Sequence, residues 1–256
     1  MVLTKENIIQ IKQGYFEAQQ ELNNTILTMK PFCDLLKTEN KKAYDYCFYG
    51  VLRRIFLIKK CLENFERITP PERNTYLDEE QRKDLNLFLH SFLLHISGGI
   101  DNLAWVWFYK RKIDQIEDPE KYRLKINLFG KHFKRYLDEE IIDKCSEFKP
   151  WYKLLKNFRN PAAHRVPPYI VPYTVDPNDE KLHRELETKL SSTNDKKLQS
   201  RIEKQIDDLR DYEPVYMHSF IEGSEMVRFH PQTISDSRSF CVLVNLIVQK
   251  LEKIKT

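Results

Sequence analysis

An all-α helical bundle is the fold this 256-residue chain predicts, on three observations. Glycine is scarce, at 6 residues, and 31% of the chain is charged, a balance that suits long helices rather than a β-sandwich or a glycine-rich nucleotide fold. Apolar residues recur at steps of three and four through most of the sequence. One segment, 85–108, is apolar nearly all round, as a central bundle helix should be.

The elements follow in order. Residues 4–30 carry Ile8, Ile11, Tyr15, Ala18, Leu22, Ile26 and Met29 on one stripe, and Pro31 is expected to end that helix. A second helix is expected over 40–67, with Tyr44, Phe48, Val51, Ile55, Ile58, Leu62 and Phe65 inward, closed by Pro70-Pro71 and antiparallel to the first. The third starts at Asp78, whose carboxylate can cap it, and runs to about Ile113. Its polar exceptions fall on adjacent rows: Asn86, His90, Ser97 and Asp101, then Ser91, His95, Gly98 and Asn102. Such a stripe on a core helix needs a polar network, a wet cleft or another subunit. Gly98-Gly99 costs about 1 kcal/mol per residue against alanine, to be offset by close approach of a neighbouring backbone or a ligand; a kink is the other reading.

Asp118-Pro119 restarts a helix, and 131–148 forms another with Phe133, Tyr136, Leu137, Ile141 and Ile142 inward. Pro150 opens a short helix over 151–158, and Asn160, a good N-cap before Pro161, begins the next, which Pro167-Pro168 stops. Residues 169–173 should be extended. Residues 176–212 are roughly half charged. They read as two exposed helices around a turn at 191–194, or as a disordered insertion. A β-hairpin follows, with strands at 214–221 and 225–230 about a turn at Glu222-Gly223-Ser224, and the last helix spans 236–254. The whole is one domain, 1–256, with an insertion at about 168–232.

Composition excludes several function classes. There is no GxGxxG, Walker or GxSxG pattern, no HExxH, and His90 and His95 do not share a helix face, so neither a metal nor a cofactor is expected. The five cysteines, Cys33, Cys47, Cys61, Cys145 and Cys241, lie far apart, and no signal-peptide core opens the chain, which fits a reducing cytoplasm. Polar residues interrupt 85–108, so no membrane span is expected. The net charge of +4 is too small to identify a nucleic-acid binder.

Chemistry concentrates in Arg159-Asn160-Pro161-Ala162-Ala163-His164. With a helix starting at Asn160, the free N–H groups and the Arg159 guanidinium favour an anion, and the positive dipole end keeps His164 neutral, as a general base requires. On spacing alone the six residues also read as an ordinary helix start. Lys153, Lys156 and Arg165 flank them and could follow a phosphate backbone or form a solvated face.

A bundle with a polar-striped central helix, followed by Arg159, Asn160 and His164 as an R-x4-6-H motif with a polar residue after the arginine, resembles the HEPN superfamily. The aromatic flanks in 151–158 and the continuation Arg165 to Tyr169 are similar to a HEPN-like branch of unassigned function. The resemblance covers about 4–166 plus the last helix. It implies a metal-independent RNA endonuclease, toxin-related or phage-defence related, acting as a homodimer with two motifs facing one cleft. In that scheme His164 takes the 2′-hydroxyl proton, Arg159 stabilises the phosphorane, Asn160 orients one of them, and a 2′,3′-cyclic phosphate results. His95, Asp101 and Asn102 would lie along the cleft or the dimer face, and an antitoxin or another protein could be a partner. The alternative is a non-catalytic helical interaction module, with the insertion and hairpin binding a protein.

Overall fold

The computed structural model describes residues 3–219 and 225–253, and it is mostly helical. Helix α1 spans Lys5–Glu39, opened by a capping box in which Thr4 and Asn7 bond each other's backbone. It does not stop at Pro31. Phe32, Cys33 and Leu36 extend the buried stripe that Met29 belongs to, and their burial outweighs the roughly 3 kcal/mol a proline costs inside a helix.

The second helix is α2, Lys41–Tyr44, continuous through a π-helical stretch, Asp45–Leu52, with α3, Arg53–Ile68. The wider π turn rotates the stripe, so Cys47, Val51 and Leu52 are buried while Phe48, expected inward, is 38% exposed. Cys33 and Cys47 bring their thiols to 3.4 Å, and all five cysteines are buried as free thiols.

Helix α4, Glu79–Lys110, begins at Asp78 in a second capping box, with Gln81 as its partner. It packs against α1's neighbours α2 and α3 and ends just before Lys112, which takes a left-handed φ of 56°. Beyond it come α5, Pro119–Tyr122, capped by Asp118, and α6, Glu139–Glu147. The single helix expected over 131–148 is instead a 3-10 turn at Lys134–Tyr136 and then α6, separated by extended backbone at Leu137 and Asp138. Asp138-Glu139-Glu140 is itself a helix start, three acids at the positive end of α6.

Helix α7, Lys149–His164, lies against α4. After it come β1, Tyr169–Ile170, and β2, Thr174–Val175. The charged insertion forms α8, Glu180–Ser192, and α9, Lys196–Asp208, joined through a small core of Leu186, Ile202 and Ile206. Then β3, Arg210–Asp211, pairs with β2, and the Arg210 guanidinium covers the Tyr173 ring at 3.9 Å. Strands β4, Val215–Met217, and β5, Val227–Arg228, pair antiparallel as expected of the hairpin, and β1 joins the other edge of β4. The expected turn at Glu222-Gly223-Ser224 lies outside the described residues, as does Ile254.

The last helix, α10, runs over Phe229–Glu252, seven residues earlier than the apolar stripe suggested. His230 is therefore a buried first-turn residue, not a strand residue: its Nδ1 meets the Tyr15 hydroxyl at 2.9 Å, and burial pushes its pKa down to about 4. Six residues on, Asp236 is 1% exposed and accepts from Trp151 Nε1 and Gln232 Nε2, each at 2.7 Å. Burial pushes this carboxyl up to about 6, from 3.8, against those two donors. Below the lower value both folded and unfolded chains hold the proton; between the two only the folded chain does, so stability falls as pH rises across that window. Two pH units at 1.36 kcal/mol each make the loss on the order of 3 kcal/mol. Asp236→Asn keeps the acceptor and removes the charge, so its melting temperature should exceed wild type at pH 7.5 and match it near pH 3.5. An equal difference at both pH values rejects this account.

Candidate functional site

The motif sits differently from the expectation. Asn160 is not an N-cap and Pro161 is not a first-turn residue; both lie inside α7, which starts eleven residues before Asn160 with Pro150 in its first turn. Tyr152, Leu155, Phe158 and Pro161 form one buried stripe, and Phe158 packs edge-on against Tyr216 at 4.7 Å, so packing carries the helix through the Asn-Pro signal. The helix ends when Arg165 donates its N–H to Pro161 O, just before Pro167-Pro168. Two consequences follow. The backbone N–H groups around Asn160 belong to the helix and offer no anion site, and His164 lies at the negative end of the dipole, not the positive one.

Arg159 nevertheless reaches a polar cleft. It lines a cavity of about 550 Å³ with Arg54, Gly98, Asp101, Asn102 and the aromatic residues Tyr46, Trp105 and Tyr109. Arg54, from α3, is held by the polar stripe of α4: its Nε donates to Asn102 Oδ1 at 3.1 Å, and its Nη1 lies 3.2 Å from His95 Nδ1 and 3.4 Å from Leu94 O. Glycines make this approach possible. A Cβ on Gly98 would stand 2.5 Å from the Arg54 guanidinium carbon, and one on Gly50 would stand 2.6 Å from Asn102 Nδ2. Gly99 instead makes room for the Phe240 ring, whose Cζ would be 2.4 Å away. The glycine pair thus answers to neighbouring side chains rather than to a backbone. Gly99→Ala, forced against a buried ring, should destabilise by about 1–3 kcal/mol in urea melts. Gly98→Ala meets the polar tip of the Arg54 side chain, held by hydrogen bonds rather than wedged as a buried ring, and should fall well short of that loss; equal losses would contradict this difference.

The electrostatics are those of a cationic cleft. Burial lowers the Arg54 pKa, Asp101 opposes that, and Arg159 adds to it as a second nearby cation. Burial raises the Asp101 carboxyl above the ordinary range although Arg159, Arg54 and Lys156 pull it down, and burial together with Arg54 depresses His95. Arg159 itself uses little of its donor capacity. Its Nη1 donates to the adjacent Asn160 Oδ1 at 3.3 Å, while its buried Nε has no hydrogen bond among the described residues. A guanidinium carries five N–H donors, so this one is free to bind an anion.

The remaining candidates divide by position. Lys153, Lys156 and Arg165 do converge, with Asn157, Asn160 and His218, on a second cleft of about 610 Å³. Neighbouring Arg159 and Asn160 therefore face different clefts. His164 is exposed and lines neither; it follows Arg159 by five residues, about 140° around the helix. The α4 stripe also divides: Asn86 accepts from Ile170 N at 2.8 Å and His90 Nε2 meets Pro168 O at 2.5 Å, fixing the chain after the motif, while Asp101 and Asn102 line the cleft and His95 stands behind it, touching Arg54.

Sequence reasoning missed Arg54 and the aromatic wall. The signal for Arg54 was available, since Arg53 and Arg54 are the only charges between Tyr46 and Ile58. Tyr46, Trp105 and Tyr109 carried no signal, because aromatic residues on helices are ordinarily core. Among the described residues no group of three or more His, Cys, Asp or Glu side chains could hold a metal ion, and no helix is long and apolar enough to cross a membrane. No family model, no curated protein and no solved structure matches this chain.

Proposed function

We propose that this protein is a HEPN-like, metal-independent RNA endonuclease. The observation that carries the reading is the Arg54–Arg159 cleft, where an under-used guanidinium on the motif helix meets the polar stripe of the central helix. Two arginines beside a carboxyl whose charged form burial disfavours suit a phosphodiester and the charge that develops on it during cleavage. The exposed His164 imidazole takes the proton of a ribose 2′-hydroxyl; the freed oxygen attacks phosphorus as the bond to the 5′-oxygen breaks, that oxygen takes a proton from water, His164 returns its own to water, and a 2′,3′-cyclic phosphate remains. Because His164 and Arg159 of one chain do not share a cleft, the reaction calls for a homodimer in which the two motifs complete each other. A cytoplasmic toxin or defence role, restrained by a protein partner such as an antitoxin, suits such an activity. The test is incubation of wild type and His164→Ala with mixed RNA in chelator: equal cleavage by both, or none by either at high protein concentration, rejects the proposal.

The position of His164 outside the cleft favours a second reading, a non-catalytic helical interaction module in which the motif supports a dimer interface. It expects Arg159→Ala to lower stability or dimer content in sedimentation; a stable, fully dimeric variant counts against it.

A further inference from the structure

The aromatic wall of the Arg159 cleft has no part in the chemistry above. Tyr46 stacks on Trp105 with ring centres 5.1 Å apart and planes 7° from parallel, and both rings lie within 6 Å of Tyr109, at 5.7 and 5.6 Å. Tyr46 and Trp105 are half-buried, so the stack is a cavity wall and not part of the sealed core. Arg54, Arg159 and Arg123 line the same space, against Asp101 and Glu120. A flat apolar shelf beside clustered guanidiniums, in one cavity of about 550 Å³, matches a ligand that joins a planar ring to a phosphate.

We propose that this cleft is a nucleotide subsite for single-stranded RNA, in which one unpaired base stacks on the Trp105–Tyr46 wall while its phosphate is held by Arg54 and Arg159. The inference rests on the RNA-cleaving reading and adds to it the strandedness of the substrate and the residues that select it. A base in a duplex already stacks on its own neighbours, so only an unpaired base can lay its face on this wall, and duplex RNA is disfavoured. Every base has a π-face, so the subsite tolerates sequence; base stacking on an aromatic side chain is worth about 5- to 150-fold in affinity. Arg54 is already held by Asn102, His95 and Leu94 O, so its guanidinium is in place before the ligand arrives.

The experiment uses the full chain carrying His164→Ala, to keep RNA intact, and a labelled eight-nucleotide single-stranded RNA. Adenosine 5′-monophosphate and ribose 5-phosphate compete for it separately. The expected result is that the nucleotide competes at least 10-fold better than the sugar phosphate, and that Trp105→Leu removes this advantage while the sugar phosphate competes as before. Tyr46→Leu provides the same comparison should Trp105→Leu fail to fold, as judged by its melting curve. Equal competition by the two ligands in the parent protein overturns the subsite and leaves the RNA-cleaving reading standing. Oligonucleotide binding that is absent in the parent, together with no cleavage by wild type, overturns both. Competition by the nucleotide that persists undiminished in both variants moves the base elsewhere and also overturns the subsite.

Discussion

His164→Ala is expected to cleave RNA about 10²–10⁴-fold more slowly than wild type in chelator, the range a positioned general base contributes. The substitution should leave the fold intact, because His164 is exposed in the last turn of α7 and, among the described residues, its imidazole bonds no other side chain. Arg159→Lys provides the companion measurement. Lysine keeps the positive charge but replaces the planar five-donor fork by a compact ammonium, so a site that grips a phosphorane through several N–H groups should lose about 10²–10³ in rate. Rates indistinguishable from wild type in either variant, at matched melting temperature, would remove the residue from the reaction.

Glu39→Ala should destabilise the fold by about 3–5 kcal/mol, a large part of the stability of any domain. The carboxylate at the end of α1 accepts a hydrogen bond from Lys110 Nζ at the end of α4. That ammonium is almost wholly enclosed, its side chain 1% exposed against 22% for Glu39, so losing the acid strands a charge in the core. The double variant Glu39→Ala, Lys110→Met provides the check. An apolar side chain of similar reach needs no counter-charge, and replacing a buried ion pair in this way is often neutral or stabilising. Urea unfolding should show most of the single variant's loss recovered; no recovery would mean that Glu39 acts through something other than Lys110.

Side-chain caps were legible only in part. Asp78 opens the helix expected of it, because a cap bonds backbone groups within its own turn, whereas Asn160, expected to cap, lies inside α7. Proline signals inside a continuing apolar stripe misled. Pro31 and Pro161 both lie within helices, since Phe32, Cys33 and Leu36 in one case and Phe158 in the other are buried against elements distant in sequence. The π-helical stretch was equally invisible: one extra residue per turn changes which side chain points inward without changing the apolar composition.

For the site, His95, Asp101 and Asn102 follow from the rule that polar residues on an apolar helix must find partners, a demand set by the cost of burying unpaired groups, while Arg159 follows from the short motif alone. That demand does not say which partner answers. Arg54 does so from 41 and 48 residues away in sequence, through a gap that Gly98 and Gly50 leave open.

The sequence by itself determined the helical class, the helix start at Asp78 and the existence of a polar seam along α4, all consequences of local periodicity and of backbone groups bonded within a turn. Tertiary structure alone decided that α7 runs through Asn160, that Arg159 and His164 face apart, and that an aromatic wall closes the Arg159 cleft. The physical reason is the same in each case: burial against distant elements contributes several kcal/mol per helix, more than a single cap or proline preference, and only the folded chain shows where it falls.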